Sequence, residues 1–289
     1  MRSAGALAPR RAARPLPAEP LVTAAPSGAW RPLDLADVWA HRELLYFLTW
    51  RDLKVRYKQT LLGVAWVVMQ PLMMTLVFTV FLGMLARVPS ERVPYPLFVY
   101  AGLLPWTFFS GAVVGGGTSL VSNSHLITKV YFPRLIIPAA AIGARLVDFA
   151  VAFTIVIGMM AFYRVPLTAN LLMLVPLVLL ASALALGCGL LLAAVNVRYR
   201  DVGVALPVFI QLWMFVSPVL YPTSLVPPDW RRVYELNPLV GVIDNFRAAL
   251  FGGGFNWRAL AVSAAFAAAL LVVSAFEFKR VEKSIADVI

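Results

Sequence analysis

Arg145 and Asp148 are the residues whose types and spacing most invite a chemical reading. They interrupt an apolar run at 136–162. Standing three apart, they share one helix face and can pair. Two ions in so apolar a setting serve either a function or the orientation of the helix that carries them, and both readings stand at this point. A second charged cluster, Arg198, Arg200 and Asp201, follows Asn196 in the run LAAVNVRYRDVGVAL. Other chemical equipment is sparse. His41 and His125 are the only histidines, far apart and without metal-ligand spacing, so no metal site is expected. No G-x-x-x-x-G-K-S/T phosphate loop is present, so no ATP site is expected in this chain. Cys188 is the single cysteine and forms no internal disulfide. A hydrolase or transferase needs more polar groups gathered in one place.

Aromatic residues are plentiful instead. Their faces can stack on the C–H edges of sugar rings and leave the hydroxyls free. The competing reading is the aromatic belt of a membrane surface, which suits Tyr100, Tyr221 and Trp257 near segment ends. Trp66 fits the belt less well. Gln70-Pro71, one turn later, puts an amide and a helix break inside an apolar segment, and polar groups there face an interior path. The candidates for a substrate path are Tyr57, Trp66, Gln70, Phe78, Phe81, Trp106 and Trp213.

The elements that must position these residues follow from composition. The chain has 289 residues, 61% apolar and 13% charged, about half the charge of a soluble protein. Its main solvent is therefore lipid. Residues 1–33 are rich in Ala, Pro and Arg, lack the apolar stretch of a signal peptide, and read as a disordered tail. Residues 34–60 read as an amphipathic interfacial helix capped by Asp34, with an aromatic stripe flanked by Arg51, Lys54 and Lys58. Six apolar segments follow, at 61–85, 97–121, 136–162, 169–195, 204–221 and 257–278. Most reach the roughly 20 residues that cross a bilayer. The fifth is the shortest, tilted or broken at Pro207 and Pro218. The expectation is an all-α integral membrane protein with six transmembrane helices.

Lys and Arg orient it. Seventeen fall in 1–60, 122–135, 198–200 and the C-terminal end; seven fall in the alternate loops. The first set is cytoplasmic by the positive-inside rule, with both termini inside, including 280–289. The net charge of +11 then marks a membrane face, and no nucleic-acid partner is expected. The charges of Arg198, Arg200 and Asp201 mark a short cytoplasmic turn.

The segment 222–254 is not an ordinary outer loop. Pro227-Pro228 and Asn237-Pro238 are helix starts, with Trp230 between them. Leu239, Val242, Ile243, Phe246, Ala249 and Leu250 form an apolar face at helical spacing. Asp244 and Arg247 can pair beside it, and Gly252-Gly253-Gly254 ends the helix. Both helices are expected to re-enter the outer leaflet as a hairpin.

Several runs together resemble the permease subunit of bacterial ABC transporters that export polysaccharides, the family of O-antigen, capsule and teichoic acid exporters. They are LLYFLTWRDLKVRYKQTLLGVAWVVMQPL, GLLPWTFF, TKVYFPRLIIP, NVRYRD, SPVLYP and NPLVGVIDNFRAAL, in order over about 44–250. The resemblance implies a half-transporter of the bacterial inner membrane that works with a second copy of itself. It also implies two copies of a separate ATPase subunit, which holds the ATP and Mg, and a channel for a lipid-linked polysaccharide. The coupling residues would be His125, Lys129, Tyr131, Phe132, Pro133 and Arg134, with Arg198, Arg200 and Asp201 on the same face. The hairpin 222–254 would be the outer gate. The alternative function is a similarly built permease for a lipid, drug or other small molecule. A membrane enzyme on polyprenyl-linked sugars would need clustered acids or a metal site that the sequence lacks.

Overall fold

The computed structural model describes residues 35–58, 63–90, 93–129 and 132–288. Among them every regular element is helical. The chain opens with α1 (Leu35–Ala40) and α2 (Arg42–Tyr57). Next comes α3 (Ala65–Phe78), prolonged by a π-helical stretch over Thr79–Leu85. Then come α4 (Tyr95–Ser122), the short α5 (Ser124–Lys129) and α6 (Ile136–Phe162). A 3-10 turn (Ala169–Met173) leads into α7 (Leu174–Arg198), and α8 (Asp201–Phe215) follows at once. The last helices are α9 (Pro228–Tyr234), α10 (Pro238–Phe251) and α11 (Trp257–Val288). The expected tail 1–33, the Asp34 cap and Tyr131 lie outside the described residues.

Five helices are long and apolar enough to cross a membrane: Ala65–Leu85, Tyr95–Ser122, Ile136–Phe162, Ala169–Arg198 and Trp257–Glu282. They reproduce five of the six expected segments within a few residues. The segment expected at 204–221 differs. Its helix runs Asp201–Phe215, so its 15 residues span only about 22 Å at the α-helical rise. Pro218 has no N–H to donate, and from Phe215 onward carbonyls accept from Tyr221, Asn237, Arg247 and Tyr95. At the C-terminal end α11 continues as helix through 280–288.

The centre of the bundle is α4. Over its most apolar window 78% is buried, against 11% for the helix Ala65–Leu85. This places α4 inside the bundle and leaves most of α3 facing outward. The other central helices are α6, α7, α10 and α11. α4 and α7 approach closely at Gly116 and Gly189, where a Cβ on Gly116 would stand 3.2 Å from the opposing Cα. The glycine run at 115–117 therefore packs helices, as small residues do in membranes. α3 and α8 lie at the margin, α8 with Val204, Val208, Phe209 and Leu212 exposed.

One end of the bundle, here the lower end, is sealed by a cluster that joins Leu48 of α2, Leu120, Ile127, Phe132, Ile136, Leu190 and Phe278. α2 rises from this end along the first half of α6. Thr49 lies against Gly143, and Arg56 and Tyr57 reach Asp148. The two helices are thus parallel, and Leu48 and Leu53 face the bundle. The predicted aromatic stripe is split: Trp39, Tyr46 and Trp50 point outward, while Leu53 is buried.

At the upper end α10 enters the core. Eleven of its fourteen residues are buried, so its apolar face packs within the chain's own bundle. Its ends are where the sequence puts them. Asn237 accepts from Leu239 N, Pro238 takes the first turn, and Gly252 closes the helix at φ 72°. α9 starts at Pro228 as expected, and Trp230 and Val233 are exposed.

Candidate functional site

A cleft of about 600 Å³ opens between α3, α4, α6 and α8, with the C-terminal end of α2 at its foot. Tyr57, Trp66, Gln70 and Trp106 line it, together with Arg56, Arg145, Asp148 and Gln211. The positions follow from helical geometry. Gln70 is four residues after Trp66 and shares its face of α3. Phe78, twelve residues on, stands about 120° around the helix at 3.6 residues per turn. It packs against the main core instead. Phe81 is exposed on the π-helical stretch. Trp213 edges onto Phe109 at 5.4 Å and donates its Nε1–H to Asn237 Oδ1 at 3.1 Å. Of the seven path candidates the cleft thus gathers four, and Phe78, Phe81 and Trp213 lie elsewhere. Trp106 is 5% exposed and offers the cleft only an edge, whereas Trp66 is half exposed. Tyr100, expected in a surface belt, is fully buried and donates its hydroxyl to Ala152 O at 3.1 Å.

The floor of the cleft is built on Asp148. The expected partner, Arg145 one turn back on α6, approaches it at 3.5 Å. Two stronger donors come from α2: the Arg56 guanidinium and the Tyr57 hydroxyl, the latter at 2.5 Å. Burial, then the nearby Asp148 carboxylate, pushes the Tyr57 hydroxyl up to about 12. It therefore stays a neutral donor at any physiological pH. Sequence reasoning missed Arg56. It sits on the boundary of a basic helix, and nothing in its local pattern announces a partner 92 residues away.

A second polar cluster holds the upper end together. Arg247 of α10 is 6% exposed. It donates to the carbonyls of Pro218 and Val219, both at 2.6 Å, and of Phe98 at 3.3 Å. Its guanidinium lies 3.7 Å from the Phe98 ring centroid. Gly102 makes the room, since a Cβ there would run into the guanidinium and the Val219 carbonyl. Asn237 donates to Val216 O and Ser217 Oγ, and Tyr95 donates to Leu220 O. These bonds satisfy the backbone that α8 leaves open when it stops at Phe215. Asp244 accepts from Thr223 and lines a polar pocket of about 680 Å³ with Gly252, Gly253 and Gly254. Nearby, burial and the Tyr221 hydroxyl raise the Tyr234 hydroxyl far above its ordinary value.

The lower surface carries the expected docking residues in two layers. His125, Lys129, Arg198, Arg200 and Asp201 are exposed. Phe132 is 7% exposed and belongs to the lower core cluster, so it anchors the loop rather than projecting from it. Pro133 precedes the first turn of α6, and Arg134 donates to the Glu282 carbonyl of α11. Asn196 is the hidden element of the NVRYRD turn. Its amide donates to Gly117 O at 3.2 Å and accepts from Gly203 N at 3.0 Å, pinning the α7–α8 turn to α4. Arg51 of α2 donates to Asn123 Oδ1 at 2.7 Å, just before α5. One helix, α2, thus touches both the loop 122–135 and Asp148.

Among the described residues no group of three or more His, Cys, Asp or Glu side chains is placed to share a metal. The chain is similar in sequence to several transport proteins. The O-antigen export system permease protein RfbA of Myxococcus xanthus is 31% identical over 219 residues, covering 74% of this chain and 83% of that protein. The O-antigen export system permease protein RfbA of Klebsiella pneumoniae is 24% identical, covering 86% and 95%. The polysialic acid transport protein KpsM of Escherichia coli is 24% identical, covering 70% and 79%. The family model for the ABC-2 type transporter matches residues 43–251, a stretch that holds α2 through α10, the cleft and both arginine clusters. This all-helical membrane protein belongs to the ABC-2 type transporter family.

Proposed function

We propose that the chain is the membrane permease subunit of an ATP-driven exporter. It moves a lipid-linked, O-antigen-like cell-surface polysaccharide across the bacterial inner membrane. The observation that carries this reading is the cleft. One wall is the fixed pair α4–α6; the other is the marginal pair α3 and α8, whose outward faces suit a second copy of the chain. Trp66 supplies a sugar-stacking ring, and Gln70 and Gln211 supply amides for hydroxyls. The relatives named above as O-antigen and polysialic acid transporters support the substrate class. Energy comes from two copies of a separate ATPase subunit, which holds the ATP and Mg and docks on the lower surface.

The chain crosses the membrane six times in this reading. α8 and the bonded stretch 216–221 together complete the fifth crossing, and both termini lie in the cytoplasm. The outward aromatics Trp39, Tyr46 and Trp50 anchor the first part of α2 at the cytoplasmic interface, from which the helix rises towards Asp148. α10 is the buried stem of the outer re-entrant element, and the exposed α9 is its movable lip.

The test is Trp66→Ala, which lowers export while the assembled transporter still forms and hydrolyses ATP; unchanged export sinks the glycan path. Docking has its own test. His125→Ala with Lys129→Ala, both exposed, reduces co-purification of the ATPase, and normal co-purification removes these residues from the coupling surface. Cysteines at Ser3 and Ser284 stay unreachable by impermeant thiol reagents in intact cells, and labelling of either reverses the topology. Cross-links for the gate belong on α9, through Trp230 or Val233, because Val240–Leu250 of α10 is packed inside its own protomer.

A further inference from the structure

Arg145 is poorly satisfied for a guanidinium in such apolar surroundings. Its donors meet one acceptor, Asp148 Oδ2, at 3.5 Å. Its Nε is shut off against Gly111 of α4 without a hydrogen-bond partner. The rest of the side chain, one third exposed, lines the cleft. Asp148 is meanwhile held by Arg56 and Tyr57. Two guanidiniums therefore share one carboxylate, and one positive charge remains in excess. A partly buried charge left without a full complement of partners is costly, and a ligand can complete it.

The surroundings define that ligand. Sugar hydroxyls are neutral and need no cation. Directly above the charge the cleft walls are apolar, with Met74, Phe108, Phe149, Ile210 and Met214. An anion beside a hydrocarbon surface is the signature of an amphiphile with a charged head. The planar fork of a guanidinium matches the oxygens of a phosphate, and two forks from different helices can hold one such group between them. Gln70, also on the cleft wall, adds a neutral amide donor.

We infer that Arg56 and Arg145 form a subsite for the phosphate headgroup of a lipid, with Asp148 as the resident counter-ion that keeps both arginines in place before the phosphate arrives. This rests on the reading of the chain as a permease for a lipid-linked glycan, and it names the part of that substrate which the foot of the cleft recognises. The site stands at the end of α2, the helix that also holds Asn123 through Arg51, so the headgroup would be bound next to the element that reaches the docking loop.

The test uses the full chain purified in dodecyl maltoside, a detergent without phosphate. Binding of tritiated farnesyl monophosphate is compared with binding of farnesol, the same hydrocarbon without the charge. The wild-type chain should retain the phosphate about tenfold better than the alcohol, the ratio expected of one charge-assisted contact. Arg145→Gln should bring the two to parity. Asp148→Asn, which uncovers both arginines, should raise the affinity for farnesyl monophosphate about tenfold and leave farnesol unchanged. Parity in the wild-type chain, or an Asp148→Asn variant with unchanged or weaker phosphate binding, overturns the subsite. Inorganic phosphate that displaces the probe at equal concentration overturns the lipid assignment in favour of a free anion. None of these measurements needs an ATPase or export. Parity alongside a Trp66→Ala export defect therefore removes the subsite alone, while normal export in Trp66→Ala removes the glycan path and leaves the binding result standing.

Discussion

Arg145 and Arg247 are both set among apolar helices, and the molecule treats them in opposite ways. Arg247 is buried and gives its guanidinium to three backbone carbonyls and one aromatic face. Arg145 has one acceptor at 3.5 Å and opens on a cleft. The first arrangement closes a structural problem, because buried irregular backbone must find its partners within the protein. The second leaves a problem open, and a ligand can close it. The lesson is that an ion set among apolar helices is assigned to structure or function by how completely its hydrogen bonds are met, not by its presence in the sequence.

The largest effect that would test this contrast comes from Arg247→Ala. Three carbonyls lose their donor, and each unmet buried group costs about 1–3 kcal/mol. The folded protein should lose about 3 kcal/mol or more, read as a lower unfolding temperature in detergent and a depleted membrane fraction. Arg247→Lys should rescue it only in part, because an ammonium does not fork to two carbonyls while stacking on Phe98. A stable Arg247→Ala variant would erase the distinction between the two sites.

Arg145→Gln should show the reverse pattern. Asp148 keeps Arg56 and Tyr57, so stability should change by about 1 kcal/mol or less, while export falls sharply. A variant that unfolds as readily as Arg247→Ala would make Arg145 structural. Trp66→Ala comes next. Its ring is half exposed, so its removal should shift stability by about 0.5 kcal/mol or less and lower export less completely than Arg145→Gln. The smallest effect concerns pH. The Tyr57 hydroxyl lies at about 12 in the folded chain against 10.0 when unperturbed. A raised value means that the folded state holds the proton longer than the unfolded state does. Stability from this group is complete below pH 10 and is lost as pH climbs towards about 12. Tyr57→Phe should remove that part of the alkaline slope in an unfolding series, and an unaltered slope would detach Tyr57 from Asp148.

Much of the fold is legible because lipid imposes a simple code. Continuous apolar runs long enough to cross a bilayer become helices, and helix punctuation is local chemistry. Asn237-Pro238, Pro227-Pro228 and Gly252 act where the chain order puts them. The pair Arg145–Asp148 is legible for the same reason, since three residues on a helix are always neighbours. The extent of the helix within 204–221 is not legible, because hydropathy does not register where a helix stops. Pro218 and the reach of Arg247, 29 residues later, decide that. Phe132 is expected among the coupling residues, yet in the fold it joins the buried cluster of Leu48, Ile136 and Phe278.

By itself, the order of residues determined an all-helical membrane chain, the ends of its helices, and a charged face fit for a partner. All of these depend on solvent preference and on contacts within a turn or two. Only the tertiary structure decided that Arg56 and Tyr57 complete Asp148, that α10 is core, and which of two arginines is satisfied. Those outcomes depend on helices distant in sequence meeting at a chosen register, and in an apolar solvent the meeting is set by close packing and by the need to pair every buried polar group.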